Sequence, residues 1–127
     1  MSDESSGDVE IEAHANYVDA RFLGTFELGL FKRQIDTAVR AVRERDLFLL
    51  LLDLTRLQAT LSTLDRYDIS SYGARAAAAL KVSVLAPPEL IDSQNFGIMV
   101  ARNRGLKIDI FTDREKALAW LLAPNQA

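Results

Sequence analysis

Apolar and polar residues alternate along the first part of the chain and then recur at a helical period. In "VEIEAHA" (9–15) and "YVDARFL" (17–23) every second residue is apolar, which is typical of half-buried strands. Two such runs so close together predict an antiparallel hairpin. From about Glu27 the apolar residues fall on one helical face and charged residues lie opposite, so a first helix is predicted to follow the hairpin.

A continuous apolar run, Leu47–Leu52, comes next and ends at Asp53. Its short length and charged flanks favour a strand over a helix. A strand that is apolar on both faces is typical of the centre of a parallel sheet. The loop after this strand carries four hydroxyl side chains, those of Thr55, Thr60, Ser62 and Thr63.

Helices and strands alternate through the rest of the chain. The pattern predicts helices over 63–79 and 88–104 and a last helix capped by Thr112, with strands over 81–86 and 106–111 between them. Gly105 is placed to follow the third helix as its C′ residue. The element order β-β-α-β-α-β-α-β-α predicts an α/β fold with a mostly parallel sheet of about five strands and an N-terminal antiparallel hairpin.

Length and composition favour one globular domain without membrane or nucleic-acid chemistry. The chain has 127 residues, a net charge of −3 and no cysteine. The acidic start predicts a disordered tail over 1–8 ahead of a domain over 9–123. The chain lacks a basic bias, an apolar run of about 20 residues and a secretory pattern, so we expect a cytoplasmic protein with no transmembrane segment and no nucleic-acid partner.

Catalytic signatures are absent from the sequence. The single histidine, His14, is predicted to face solvent from an early strand, and no spacing provides it with a nucleophile. With one histidine and no cysteine, the chain lacks the usual zinc ligands. We therefore expect no enzyme activity, no cofactor and no metal.

Two residues near the central strand could carry a phosphoryl group. Asp53 lies where a receiver-type acceptor would be, but the sequence offers neither the further carboxylates for Mg²⁺ nor the lysine that such a site needs. Ser62 begins "STLD", a pattern in which the hydroxyl accepts from the Asp65 amide as a helix cap. The same hydroxyl could be phosphorylated, since the helix dipole favours a phosphate there while Asp65 opposes it.

Four stretches resemble the STAS domain family, which includes the anti-sigma-factor antagonists and small stand-alone SpoIIAA-like proteins: "GTFE", "LLLDLTRL", "ARNRG" and "DIFTDREKALAWL". The resemblance spans about 9–122 and implies a STAS-like fold. In the antagonists, a partner kinase phosphorylates a serine at the start of the second helix. The familiar Asp-Ser-Ser-Gly-Leu pattern would fall on "TLSTL" (60–64), which lacks its Asp and Gly.

The resemblance implies a non-catalytic regulatory domain that binds a partner protein, for example an anti-sigma-type kinase in a partner-switching pathway. Its phospho-switch or partner-binding residues would be Ser62, Thr63 and Thr60. Homodimerisation is compatible with a domain of this size.

The alternative is a small-ligand or lipid-binding module, because some STAS-like proteins are similar to the SEC14 group. Its ligand pocket would lie between the second and third helices, near Tyr67, Tyr72 and Phe96.

Overall fold

Seven strands and four α-helices follow one another in the part of the chain that the structure describes. This is a computed structural model, and it describes residues 8–92 and 95–124. The predicted acidic tail lies outside the described residues except for Asp8. The elements are β1 (Val9–Ala13), β2 (Val18–Phe22), β3 (Gly24–Thr25), α1 (Leu28–Arg43), β4 (Leu49–Asp53), β5 (Leu57–Gln58), α2 (Thr63–Ala76), β6 (Lys81–Leu85), α3 (Phe96–Asn103), β7 (Lys107–Phe111) and α4 (Arg114–Leu122).

The main sheet has five strands in the order β1-β2-β4-β6-β7. β1 and β2 form the predicted antiparallel hairpin, and β2, β4, β6 and β7 run parallel to one another. Helices α1, α2 and α3 pack together on one face, whereas α4 covers the other face over β4, β6 and β7. The α/β fold class and the mostly parallel five-stranded sheet are confirmed.

The central strand is apolar on both faces because both of its faces are covered. Leu50 belongs to the large core beneath α1, α2 and α3, and Leu51 to a smaller core beneath α4. Both side chains are buried. This double cover explains the unbroken apolar run from which the strand was predicted.

The predicted start of the third helix was wrong. The third helix does not begin at Pro88: a single 3-10 turn (Pro88–Leu90) comes first, and α3 starts only at Phe96. The chain is redirected before α3, since Asn95 has a left-handed φ of 52° and the Asp92 carboxylate accepts from the Phe96 amide at 3.1 Å. Gly105 follows α3 with a φ of 93°, as expected of a C′ glycine.

The last helix is capped by Asp113, not by Thr112. The Asp113 carboxylate accepts from the amides of Glu115 at 2.8 Å and Lys116 at 3.4 Å. Threonine and aspartate are both good caps, so the sequence alone left the choice between neighbours open.

The second helix likewise ends at Ala76 rather than 79. Among the described residues, no helix is long and apolar enough to cross a membrane.

Candidate functional site

Asp53 lies at the carboxyl end of β4, where its carboxylate fixes the turn that follows. One oxygen, Oδ1, accepts from the amide of Thr55 at 2.9 Å and from its hydroxyl at 2.6 Å. The other, Oδ2, accepts from Nη2 of Arg114 at 2.7 Å. The residue is 4% exposed, so its charge is compensated by protein groups rather than by water.

Arg114 joins Asp53 to a second buried carboxylate, that of Asp19 in β2. Nη1 of Arg114 donates to Asp19 Oδ2 at 2.9 Å, and Asp19 is 2% exposed. Burial alone would lower the pKa of Arg114, but the hydrogen bonds and charges of Asp19 and Asp53 outweigh it and raise that pKa. A guanidinium therefore lies between the two carboxylates and neutralises charge on both. Asp19 was not among the predicted site residues.

The loop after Asp53 is tied to the end of the hairpin by a short parallel pair of strands. Gly24 pairs with Leu57 and Thr25 with Gln58, and the Phe26 amide donates to the Gln58 carbonyl at 2.7 Å. This two-stranded sheet was not predicted, since two-residue strands leave no periodic pattern. It restrains the middle of the loop while the residues beyond it stay accessible.

The predicted switch residues lie together on an exposed surface at the start of α2. Ser62 Oγ accepts from the Asp65 amide at 3.0 Å, and the Asp65 carboxylate accepts from the Ser62 amide at 3.1 Å, which confirms the predicted cap. Two neighbouring apolar side chains are also exposed, Leu64 by 68% and Tyr67 by 41%. We call the following group the α2 N-terminal surface: Thr60, Ser62, Thr63, Leu64 and Tyr67.

The three aromatic residues of the predicted ligand pocket do not meet around one space. The Tyr72 hydroxyl donates to both carboxylate oxygens of Asp36 on α1, at 2.6 and 2.8 Å. The Tyr67 hydroxyl accepts instead from Arg104, beyond the end of α3, at 3.0 Å. Phe96 begins α3 and is half-buried. An apolar cavity does lie beneath α2 and α3, but none of these three aromatics is among its lining residues.

One group of side chains in the described residues has metal-ligand chemistry. Glu12, His14 and Asp19 each place one ligand atom within 4.8 Å of the others. Two arginines already engage these carboxylates, Arg21 on Glu12 at 3.4 Å and Arg114 on Asp19 at 2.9 Å. Because those cations compete for the same oxygens, we assign no metal to this group. His14 is exposed, as predicted, and stacks on Tyr17.

Two solved structures share this fold at low sequence identity. An anti-sigma factor antagonist from Mycobacterium paratuberculosis matches with a TM-score of 0.58 at 11% identity, over 94% of this chain and 97% of that one. A DUF3478-family protein with a SpoIIAA-like fold from Shewanella loihica matches with a TM-score of 0.52 at 21% identity, over 89% and 91%. The chain therefore has the STAS-like fold that the sequence predicted. No protein-family model matches the sequence, and no curated protein matches it significantly.

Replacing Arg114 with methionine is expected to destabilise the protein by about 3 kcal/mol, because buried Asp53 would lose its cation and buried Asp19 would keep only the longer contact with Arg21, at 3.6 Å. This is the lower end of the range for buried ion pairs, since the Arg114 side chain is itself 40% exposed. Urea unfolding measures the change in the free energy of unfolding. Lys116→Met, an exposed cation on the same helix, is the matched control and should change it by less than about 0.5 kcal/mol. Equal effects of the two substitutions would contradict the bridging role of Arg114.

Tyr72 is expected to ionise above the ordinary tyrosine pKa of about 10. Its hydrogen bond to Asp36 raises this pKa, with smaller contributions from burial and from the Asp36 charge. The bond therefore contributes stability that is complete below the unfolded-state pKa and is lost as pH rises through the folded-state pKa. Asp36→Asn should lower the pKa of Tyr72 in an NMR titration of its ring signals. Glu44→Gln, at the C-cap of the same helix, should leave this pKa unchanged. A Tyr72 pKa that is the same in both variants as in the wild type would refute the assignment.

Proposed function

We propose that the protein is a non-catalytic regulator that binds a partner protein through the α2 N-terminal surface. The observation that carries this proposal is the exposure of two large apolar side chains, Leu64 and Tyr67, next to the capping hydroxyl of Ser62. The fold shared with an anti-sigma factor antagonist supports a regulatory role of this kind.

The surface has the composition that a partner-binding site needs. Leu64 and Tyr67 would lose solvent-exposed apolar area on binding, and aromatic residues are enriched among the side chains that dominate interface energies. Tyr67 also accepts a hydrogen bond from Arg104, which limits its freedom before any partner arrives. A surface already held in place loses less conformational entropy when it binds.

The proposed switch is phosphorylation of Ser62 by an anti-sigma-type kinase in a partner-switching pathway. Phosphate would place about two negative charges beside Leu64, and this would oppose the burial of that side chain by a partner. The positive end of α2 favours phosphate at this position, whereas Asp65, which caps the same helix turn, repels it. Thr63 and Thr60 are exposed hydroxyls on the same surface and are the neighbouring acceptor positions.

A photo-crosslinking amino acid at position 64 is expected to capture a discrete partner protein in cells. The matched control is the same amino acid at position 122, where Leu122 is 47% exposed on α4 away from the α2 N-terminal surface. Adding Ser62→Glu to the position-64 variant should weaken the crosslinked band, because it places a charge beside the contact. Identical bands from both positions, or no band from position 64, would contradict partner binding at this surface.

Incubation with an anti-sigma-type kinase is expected to label the wild type and Thr112→Val, but not Ser62→Ala. Thr112 is an exposed hydroxyl near another helix start and serves as the control. Since loss of the cap costs about 1 kcal/mol, circular dichroism should first confirm that Ser62→Ala is folded. Label retained in Ser62→Ala, or absent from the wild type, rejects Ser62. Thr63→Val and Thr60→Val then test the other two acceptors.

A further inference from the structure

An apolar cavity of about 130 Å³ lies between the main sheet and helices α1, α2 and α3. Protein cores are close-packed and leave few voids larger than a water molecule. An apolar cavity of about 150 Å³ stays dry and binds benzene. The volume therefore suits a guest about the size of one six-membered ring, and it is well below the roughly 300 Å³ at which pockets for drug-sized ligands begin.

The cavity is lined by aliphatic side chains from every element around it. Its walls come from the sheet and from all three helices, and include Ile35, Leu50, Ala74, Val84, Ile98 and Ile110. It also reaches Leu54 and Ala86, which follow the carboxyl ends of β4 and β6. Ligands of open α/β sheets bind at this edge of the sheet.

One lining residue, Arg66, carries a positive charge. Arg66, in the first turn of α2, is half-buried and donates from Nη1 to the Leu90 carbonyl at 2.8 Å. It forms no ion pair with any carboxylate of the described residues. A guanidinium has five N–H donors, so donors remain for a carboxylate, which it can hold through two parallel hydrogen bonds.

A second charged group at the cavity has the opposite sign to Arg66. The Asp92 carboxylate also lines the cavity, where it accepts from the Phe96 amide at the start of α3. Asp92 therefore offsets part of the attraction of Arg66 for any anion, and a ligand needs an apolar group in the cavity as well as a carboxylate that forms paired hydrogen bonds with the guanidinium.

We propose that this cavity and Arg66 together form a binding site for a small aryl or branched alkyl monocarboxylate. The apolar part of the ligand occupies the cavity and its carboxylate pairs with Arg66. This site is separate from the α2 N-terminal surface, and its argument does not rest on the proposed partner.

Isothermal titration calorimetry of the full chain with benzoate, benzyl alcohol and inorganic phosphate tests the proposal. Benzoate should bind saturably and benzyl alcohol about tenfold more weakly because it lacks the charge, whereas phosphate should give no detectable binding because it has no apolar part to occupy the cavity. Arg66→Gln should weaken benzoate about tenfold without affecting benzyl alcohol, since a hydrogen bond to a charged group is lost. Arg75→Gln removes an exposed cation of the same helix that does not line the cavity, and should leave all three affinities unchanged.

Filling the cavity separates binding inside it from binding at the surface. Ala74→Leu should abolish benzoate binding. Gly73→Ala is a milder change for the case in which Ala74→Leu does not fold: a Cβ there would meet Ile35 Cδ1 at 3.9 Å, an ordinary contact, and should weaken benzoate. Nuclear Overhauser effects from the benzoate ring to the methyl groups of Val84 and Ile98 should be seen in the wild type. Absence of benzoate binding, unchanged affinity in the filled variant that folds, or equal losses in Arg66→Gln and Arg75→Gln would overturn the proposal.

Discussion

The central strand β4 has to be covered on both faces, and the placement of the helices follows from that constraint. Leu50 and Leu51 point to opposite sides of the sheet, and each needs an apolar partner layer. Helices α1, α2 and α3 supply one layer, and α4 alone supplies the other. Because α4 lies over β4, β6 and β7, the corresponding face of the β1–β2 hairpin has polar and charged residues, among them Glu10, Glu12 and Arg21.

The same strand ends in a carboxylate, and its burial is tolerated because α4 begins with an arginine. Arg114 pairs with both Asp53 and Asp19, so one side chain holds α4 against β2 and β4. Asp53 in turn holds Thr55 at the start of the loop that leads to Ser62. The first turn of α4 and the loop before α2 are therefore linked through a single carboxylate. A change at one of them alters the hydrogen bonds available to the other.

Local patterns predicted the elements of this fold, whereas contacts between distant residues could not be predicted. Alternating apolar residues predicted the hairpin, and an apolar run without alternation predicted β4. The "STLD" pattern predicted the cap at Ser62 because the capping residues are only three positions apart. Arg114 and Asp19 are 95 positions apart, and no periodicity connects them. The ligand pocket was predicted from aromatic residues on the second and third helices, but Tyr72 turns towards Asp36 on α1. Side-chain direction depends on tertiary packing, which a pattern of apolar and polar residues does not contain.

Helix α2 links the two proposed sites because its outer side is exposed and its inner side lines the cavity. Of its fourteen residues only Ala74 is buried, so the helix leaves apolar side chains exposed on its outer side and a cavity beneath its inner side. Tyr67 lies on the outside and its neighbour Arg66 lines the cavity. A carboxylate bound to Arg66 would sit beneath the helix turn that presents Leu64 to a partner. Occupancy of the cavity would stiffen that turn, and a partner that selects its rigid form would then bind more tightly, which couples the two sites without a change of fold.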